Sequence, residues 1–471
     1  MDEQPANQAS EGQDAAVERS LYAKREKIYA REVHGVYARL RVLAVLVLLG
    51  AYYGVPWLTW GGRQAVLLDL PNRQFHLFGI TFWPQDFFYL AALLIIAALS
   101  LFFFTALAGR LWCGYACPQT VWTEVFMWIE RKIEGDRPRQ MKLDKMPLSA
   151  RKIAIKGGKH AVWILFSLYT GFTFVGYFTP THDLAAKVAT LSLGPWETFW
   201  IIFYGFATYG NAGWMREQVC IYMCPYARFQ SAMFDRDTLI ISYDEERGDP
   251  RGGRKRSVDP AEAGLGDCID CTLCVQVCPT GIDIRDGLQF ECIGCAACID
   301  VCDEVMDKMG YPKGLVRYTT EHAVHGEKTH VVRPRMFVYA ALLAVLVGAL
   351  IFSIAGRVPL EVDVIRDRIA LYRETHEGLI ENTYNIKVVN KDQSRHQYRL
   401  SASGIEGLEL INTMGEFTVE PGRVLEVPVR LRIDPVNIDR ASSKVDFEVF
   451  ALDNPEIAHV EPARFLGPVL K

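Results

Sequence analysis

The last third of the chain contains no cysteine, because all 12 cysteines lie between Cys113 and Cys302. So uneven a placement excludes the disulfide scaffold of a small secreted protein. The thiols are therefore predicted to be ligands in a reducing compartment. The chain also lacks a strong excess of either charge, and its formal net charge of -4 argues against a nucleic-acid binder. It has neither a GxGxxG turn after a strand nor a P-loop, so no nucleotide site is predicted.

Long apolar windows are frequent, and apolar residues make up 50% of the sequence. A bilayer core takes roughly 20 residues to cross, and five windows satisfy this length: Leu40 to Trp60, Phe87 to Gly109, His160 to Pro180, Trp196 to Trp214 and Met336 to Gly356. No cleavable apolar core stands close to Met1, so we expect no signal peptide and a first window that is retained.

Basic residues set the expected orientation of these windows. Lys and Arg concentrate before the first window and between residues 110 and 159, and they are sparse in the loops after the first and third windows. Because cytoplasmic loops are enriched in Lys and Arg, the N-terminus is predicted inside and the C-terminus outside, in the periplasm of a Gram-negative bacterium.

The chain is predicted to be a multi-domain membrane protein with five parts. They are a cytoplasmic polar tail at 1–36 that runs into a basic juxtamembrane helix, a four-span membrane region at 37–236, a cytoplasmic domain at 237–335, a fifth transmembrane helix at 336–356 and a periplasmic domain at 357–471. The last part alternates apolar and polar residues in short runs between turn residues, which indicates an all-β, immunoglobulin-like sandwich.

Eight cysteines of the 237–335 segment follow the bacterial ferredoxin spacing C-x2-C-x2-C-x3-C twice. In such runs the fourth cysteine ligates the cluster of the other run. We therefore expect two 4Fe-4S clusters, the first held by Cys268, Cys271, Cys274 and Cys302 and the second by Cys292, Cys295, Cys298 and Cys278. Two zinc sites are the alternative, but zinc ribbons do not need this triple spacing twice. Asp303 stands where a proline usually follows the second run.

Two further pairs of cysteines share the pattern CxxxCP, Cys113 with Cys117 and Cys220 with Cys224. We call them hook one and hook two. Proline favours the first position of a helix, so Cys117 and Cys224 are expected at helix N-termini, where the helix dipole favours a thiolate. If the preceding turn is helical, each pair forms a two-sulfur claw. Copper(I), zinc and iron-sulfur clusters all suit such sulfur ligands, a buried apolar role or a redox-active dithiol is the alternative, and the sequence leaves open whether the hooks form one site.

Three other features are weaker candidates. Met215 and Met223 flank hook two and offer thioether ligands, although methionine near a span more often packs. His322, His325 and His330 suit copper or haem, but a polar linker is the preferred interpretation because no cysteine or carboxylate motif frames them. The basic run Arg251 to Arg256 is expected to be a solvated linker, with contact to anionic headgroups as the alternative.

The order of these motifs resembles the order found in the cytochrome c oxidase accessory proteins called CcoG, FixG or RdxA. The resemblance covers the chain from about Lys24 to its end, with Asp303 as the departure. It implies a bacterial inner-membrane protein that reduces Cu(II) to Cu(I) so that copper chaperones load the copper centre of the cbb3-type oxidase. Under this resemblance Cys113, Cys117, Cys220 and Cys224 handle the copper and the ferredoxin cysteines hold the two clusters.

Two other functions stay open at this point. One is a quinol-linked electron conduit to a periplasmic reductase, and the other is a non-catalytic scaffold that docks oxidase subunits. In every case the electron donor is expected to be a separate protein or the quinone pool, since no nucleotide site is predicted. The oligomeric state, including a homo-oligomer, is not fixed by the sequence.

Overall fold

The computed structural model describes residues 27–260 and 262–468. The chain divides into two compact units, one made of Met1–Trp57 and Ala97–Leu343 and the other of Leu58–Ile96 and Ala344–Lys471. The helices Phe87–Ala108 and Pro334–Ala355 each contribute residues to both units. The domain boundaries given above stay predictions.

Helices dominate the first unit. In chain order the helices are α1 (Val36–Gly54), α2 (Phe87–Ala108), α3 (Leu111–Tyr115), α4 (Pro118–Glu134), α5 (Arg137–Lys145), α6 (Ala150–Gly176), α7 (Thr181–Ala189), α8 (Pro195–Thr208), α9 (Pro225–Phe229), α10 (Glu245–Gly248), α11 (Leu273–Val277), α12 (Ala297–Met309), α13 (Glu321–Val324) and α14 (Pro334–Ala355). Two π-helical turns, Tyr209–Met215 and Val219–Met223, lie between α8 and α9.

Three helical segments of the described chain are long and apolar enough to cross a bilayer: Val36–Trp57, Pro84–Ala108 and Pro334–Ala355. They coincide with the first, second and fifth predicted windows. The third and fourth windows fall on α6 and α8. The first turns of α6 carry several Lys and Arg side chains, and the 14 residues of α8 rise only about 21 Å, less than the roughly 30 Å of a bilayer core.

Helices α6 and α8 nevertheless pack closely against each other. A Cβ atom added at Gly171 would stand 2.2 Å from the carbonyl oxygen of Ile201 and 2.9 Å from the backbone nitrogen of Gly205. Only glycine lets the two backbones approach this far, as small residues do between membrane helices. The pair therefore forms a tight hairpin whatever its depth in the bilayer.

The segment before α1 is extended over residues 27–35, so the predicted juxtamembrane helix is wrong there, while residues 1–26 lie outside the described chain. The segment pairs instead with the cysteine-rich part, because the amide of Arg31 donates to the carbonyl of Gln276 at 2.8 Å. The carboxylate of Asp300 accepts from the first amides of α1, at 2.7 Å from Ala38. Asp300 thus caps a membrane helix from a helix of the cysteine-rich part.

The cysteine-rich part is closed by an antiparallel pair of strands, β6 (Ile240–Tyr243) and β7 (Val316–Thr319). Their buried residues pack with Met306 of α12 in one core. The predicted solvated linker at 251–256 is wrong for Arg254, whose guanidinium donates to the hydroxyl of Tyr311 at 3.1 Å and to the carbonyl of Gly266 at 2.6 Å. Hydrogen bonds within the protein therefore hold the Arg254 side chain, which does not extend freely into solvent.

The second unit contains a β-sandwich, as the alternating pattern predicts. Its strands are β8 (Leu360–Arg366), β9 (Arg373–Glu374), β10 (Ile380–Asn390), β11 (His396–Ser403), β12 (Glu409–Asn412), β13 (Phe417–Val419), β14 (Val424–Ile433), β15 (Ser442–Ala451) and β16 (Ala458–Leu466). One sheet has the order β12-β14-β10-β8 with β9 beside β10, and the other has the order β13-β11-β15-β16. Large fully buried side chains, such as Tyr384 and Phe447, fill the space between them and supply the core without a disulfide.

Residues 58–86 also belong to this unit and hold short strands that the sequence did not indicate. These strands are β1 (Thr59–Trp60), β2 (Arg63–Gln64), β3 (Val66–Asp69), β4 (Gln74–Leu77) and β5 (Ile80–Phe82). The carboxylate of Asp86, just after them, pairs with Arg357 at 2.6 Å and with Lys391 at 3.2 Å. The segment is thereby fastened to the start and the edge of the sandwich.

Candidate functional site

The ferredoxin cysteines fall into two groups that cross between the runs. Cys302 lies with the first three cysteines, because their charges act on its thiol, and burial followed by these charges raises the pKa of Cys302 to about 12. A shared core contains the same four residues, Cys268, Cys271, Cys274 and Cys302. The structure thus places the last cysteine of the second run beside the first run, in the arrangement expected for cluster one.

The second group has the corresponding arrangement, with three cysteines of the second run and one of the first. Burial raises the pKa of Cys298 well above its ordinary value, and the charges of Cys295, Cys292 and Cys278 add to the effect. The hydroxyl of Thr280 lies 3.3 Å from the sulfur of Cys278. Cys278, the last cysteine of the first run, therefore lies with the second run, in the arrangement expected for cluster two.

The backbone around both groups fits 4Fe-4S clusters. Asp270 and Thr272 in the first run, and Gly294 and Ala296 in the second, have positive φ angles between 53° and 66° at matching positions. Threonine and alanine avoid this region unless the surroundings impose it, and here it curls each loop so that three thiols point to one side. Each loop then enters a helix, α11 or α12. Backbone N–H groups near the sulfurs, a feature that tunes cluster potential, complete the fit.

Asp303 takes a structural role at the position where proline was absent. Its carboxylate accepts from the amide of Gly314 at 2.9 Å. This hydrogen bond fastens the turn after α12 to the helix that carries Cys302. Asp303 therefore secures this turn by a hydrogen bond, and the assignment of Cys302 as a cluster ligand stays a prediction.

Both hooks have the helix-terminal geometry predicted for them. Cys117 precedes α4 with Pro118 at its first position, and α3 supplies the helical turn that carries Cys113. The hydroxyl of Thr120 donates to the carbonyl of Cys113 at 2.6 Å and ties the two helices together. In hook two the turn before α9 is π-helical rather than α-helical, so the second pair has a wider turn than the first.

The four hook cysteines, all within the described chain, influence one another electrostatically, but no three of their sulfurs lie within 4.8 Å of one another. The charges of Cys117, Cys220 and Cys224 all act on Cys113, and burial is the largest of the causes that raise the pKa of Cys113 to about 12. The expected thiolate at Cys117 is not favoured, because burial raises the pKa of Cys117 despite the lowering by the amides of Thr120 and Gln119.

Hook one lies directly on the loop of cluster two. A Cβ atom added at Gly114 would stand 2.7 Å from the carbonyl oxygen of Gly294 and 2.9 Å from the Cα atom of Cys295. The guanidinium of Arg110, buried to 8% exposure, donates to the carbonyl of Cys292 at 2.9 Å and to that of Ala227, beyond hook two, at 3.0 Å. The sequence analysis did not identify Arg110, which precedes hook one, or Gly114, which lies within it.

A buried charge network lies at the other end of α4. Glu130, exposed to 3%, pairs with Arg216 at 2.8 Å and with Lys159 at 3.2 Å, and Lys159 also pairs with Glu134 at 2.8 Å. Lys159 and Arg216 both lie over the ring of Trp163, at 4.5 and 5.3 Å from its centroid. Although burial raises the pKa of Glu130, its cationic partners lower it to about 2. The network is therefore ionised, and the sequence analysis did not find it.

Two cavities open beside the hooks and the network. The larger, of about 1220 Å³, is lined by α1, by α4 and by residues of both cysteine motifs, among them Cys220 and Cys295. The smaller, of about 260 Å³, is lined by Glu130, Lys159 and His160. The two share Ile28, Arg216 and Glu217 in their walls.

The histidines before α14 acquire a partner that the sequence did not reveal. Asp237, His322 and His330 offer three ligating atoms within 4.8 Å of one another, the one such group among the residues described. The Nδ1 atom of His322 lies 2.8 Å from the carboxylate of Asp237. His325 does not join them. The carboxylate comes from 85 residues earlier, so no local motif announced it.

The two methionines that flank hook two, Met215 and Met223, occupy different positions. Met223, next to Cys224, is 58% exposed, so it does not pack in the protein core. Met215 closes the first π-helical turn. The role of both as thioether ligands stays a prediction.

Family models match three regions of the chain. A 4Fe-4S dicluster domain matches residues 215–321, a 4Fe-4S binding domain matches residues 90–135, and the model described as "IG-like fold at C-terminal of FixG" matches residues 350–468. The second match contains hook one but none of the ferredoxin cysteines. The chain is therefore an iron-sulfur protein, and the iron-sulfur alternative for the hooks stays open.

Curated relatives match along most of their length. Protein RdxB of Cereibacter sphaeroides is 42% identical over 87% of this chain and 87% of its own. Nitrogen fixation protein FixG of Rhizobium meliloti is 38% identical over 87% and 85%, and Protein RdxA of Cereibacter sphaeroides is 40% identical over 87% of both. Among solved structures, a FixG-related protein from Vibrio parahaemolyticus is 32% identical, covers 23% of this chain and 95% of its own, and has a TM-score of 0.21.

Proposed function

The chain belongs to the family of FixG, RdxA and RdxB, and from this premise we propose that it is a membrane-bound iron-sulfur protein that reduces Cu(II) to Cu(I) for the copper centre of a cbb3-type cytochrome c oxidase. Each turnover adds one electron to Cu(II) and gives Cu(I). The iron-sulfur clusters supply electrons singly, and the reaction breaks no covalent bond in the protein. Soft thiols at the hooks favour the product, Cu(I), over the more weakly held Cu(II).

The observation that carries the proposal is the contact between hook one and the loop of cluster two. Gly114 lies between Cys113 and Cys117, and it touches the backbone of Gly294 and Cys295. Arg110 bridges the same loop and the segment after hook two. The hook site is thus adjacent to the loop that carries Cys292 and Cys295, two of the cysteines expected to hold cluster two.

The finer topology belongs to the same proposal. We place five spans in the bacterial inner membrane, with the ferredoxin part in the cytoplasm and the β-sandwich in the periplasm. In this arrangement copper chaperones receive Cu(I), and oxidase subunits meet the sandwich. The concentration of Lys and Arg before α1 and between residues 110 and 159 supports this orientation.

The test is a single-turnover reaction without any physiological donor. Anaerobically purified protein is reduced with dithionite, freed of excess reductant and mixed with Cu(II), and Cu(I) is followed with a Cu(I)-specific chelator. We expect about one Cu(I) for each reduced cluster, and loss of the reaction when Cys113, Cys117, Cys220 and Cys224 are all replaced by serine.

Replacement of a ligand in each cluster separates this function from a scaffold. The variants Cys271→Ser and Cys292→Ser should each abolish or slow copper reduction because they break the supply of electrons. Unchanged copper reduction in both variants would show that the clusters serve structure alone. Iron and sulfide analysis of every variant verifies which clusters remain.

A further inference from the structure

The larger cavity has an apolar wall at membrane depth. Its α1 side includes the apolar residues Val42, Val45, Leu46 and Leu49 beside the charged Arg39 and Arg41, and Trp128 of α4 also lines the space. Because α1 is one of the three helices apolar enough to span a bilayer, this wall lies where lipid-soluble molecules partition. Its volume of about 1220 Å³ exceeds the roughly 300–1,000 Å³ of ordinary small-molecule sites. The space therefore suits a ligand with a long apolar tail.

The same cavity also reaches cysteines of both motifs. Cys220 of hook two and Cys295 of the cluster-two group both line it, together with the polar side chains of Gln119 and Thr120. Gln119 is held in place, since its amide donates to the carbonyls of Asn211 and Arg216 at 2.9 and 3.0 Å. A head group beside these residues would touch hydrogen-bonding groups and the ligands of the electron-transfer centres together.

A path for protons begins in the same cavity. Glu217 is 7% exposed and lines both cavities, and the side chain of Gln218 donates to its carboxylate at 3.2 Å. The smaller cavity beyond it is lined by charged groups, among them Lys27, which is 37% exposed at its side chain. Glu217 thus lies in the wall that the two cavities share.

From these three features we propose that the larger cavity binds and oxidises a membrane quinol, which makes it the site where electrons enter the chain. The quinol loses two electrons and two protons and becomes a quinone. The electrons leave singly for the two iron-sulfur clusters, and the protons pass through Glu217 to the smaller cavity. The inference rests on the proposed function only for the final destination of the electrons.

Gly50 provides a direct test because it lines the cavity and a Cβ atom there meets nothing within 4 Å. Gly54, on the same helix, is equally open but does not line the cavity, so Gly54→Phe is the matched control for Gly50→Phe. Anaerobic full-length protein in lipid nanodiscs is titrated with decylubiquinol, and cluster reduction is followed by absorbance and electron paramagnetic resonance. Quenching of tryptophan fluorescence by the oxidised quinone measures binding without turnover.

We expect wild type and Gly54→Phe to be reduced alike and Gly50→Phe to need about tenfold more quinol or quinone for half-saturation, with dithionite reduction unchanged in all three. The proposal would be overturned if the two glycine variants gave equal titrations. It would also be overturned if the quinone did not quench the tryptophan fluorescence of wild type. Phospholipid retained by wild type but not by Gly50→Phe, without quinol-dependent reduction, would assign the cavity to a structural lipid.

A second variant separates the proton path from the binding site. Glu217→Gln should leave quinone binding within about twofold but slow cluster reduction and change its pH profile, because the side chain keeps its shape and loses its basicity. Weaker quinone binding together with an unchanged pH profile would show that Glu217 has only a structural role. That result would refute the proton path. Dithionite-driven copper reduction tests the proposed function independently, so failure of either idea is seen without the other.

Discussion

The replacement Gly114→Ala tests whether the contact between hook one and the cluster-two loop matters. The added Cβ would stand 2.7 Å from the carbonyl oxygen of Gly294, about 0.7 Å inside ordinary van der Waals contact, and its nearest neighbours are all backbone atoms. No flexible side chain can absorb the overlap, so hook or loop must shift. Overpacking of this kind costs about 1–3 kcal/mol, while alanine in a helix gains about 0.5–1 kcal/mol over glycine.

The expected result is a net loss of about 1–2 kcal/mol with altered cluster-two spectra and slower single-turnover copper reduction. Gly158→Ala is the control, because Gly158 lies within α6 and a Cβ there meets nothing within 4 Å. That variant should gain about 0.5–1 kcal/mol and reduce copper normally. Denaturant unfolding followed by iron-sulfur absorbance gives the first quantity and stopped-flow mixing the second. If Gly114→Ala behaved like Gly158→Ala in both assays, the contact would not be the bridge for electrons.

Four further predictions concern charge and hydrogen bonding. Glu130→Gln leaves the buried Arg216 without its carboxylate partner and Lys159 with Glu134 alone, and it should cost about 3–5 kcal/mol in thermal unfolding. Glu124→Gln, in a longer and more exposed pair, should cost under about 1 kcal/mol; similar losses would contradict the network. Asp300→Ala should cost about 1 kcal/mol and speed hydrogen exchange of the first amides of α1, and unchanged exchange would show that the cap is dispensable. Burial lowers the pKa of His396, but its two aspartate partners outweigh this and raise it above the ordinary 6.5, so its contribution to sandwich stability is complete below about pH 6.5 and is lost as the pH rises through the folded pKa. Hydrogen exchange of β11 and β15 across this range should show the loss in wild type and not in a His396→Gln variant. Asp237→Asn should weaken Cu(II) or zinc binding at the three-ligand group, since imidazole and carboxylate suit these ions, and calorimetry that finds equal affinity would show that no ion is held there.

Local spacing made much of this molecule predictable. Coordination geometry restricts how thiols are spaced along a chain, so the grouping of Cys302 with the first run and of Cys278 with the second was an expectation from the motif alone. Proline at the first helical position likewise located the starts of α4 and α9. Hydropathy found the three clearest membrane helices, because a bilayer imposes length and composition together.

What the sequence did not reveal depends on partners far apart along the chain. Arg110 meets Cys292 across 182 residues, and Asp237 meets His322 across 85, distances at which no periodicity operates. The strands of residues 58–86 are two to four residues long, too short for alternation to be seen. The prediction of a thiolate at Cys117 was wrong for a different reason. Burial, which cannot be read from the sequence, raises the pKa of this thiol more than the helix N-terminus lowers it.

Helix α4 connects hook one with the buried charge network. It follows Cys117 of hook one, begins at Pro118 and ends at Glu134 of the network. Its 17 residues rise about 25 Å, and its buried face, with Phe126 and Ile129, is packed in one core with Trp163. A packed element of this length fixes the position of hook one relative to the buried charges, so substitutions that loosen this core are expected to disturb both ends of the helix.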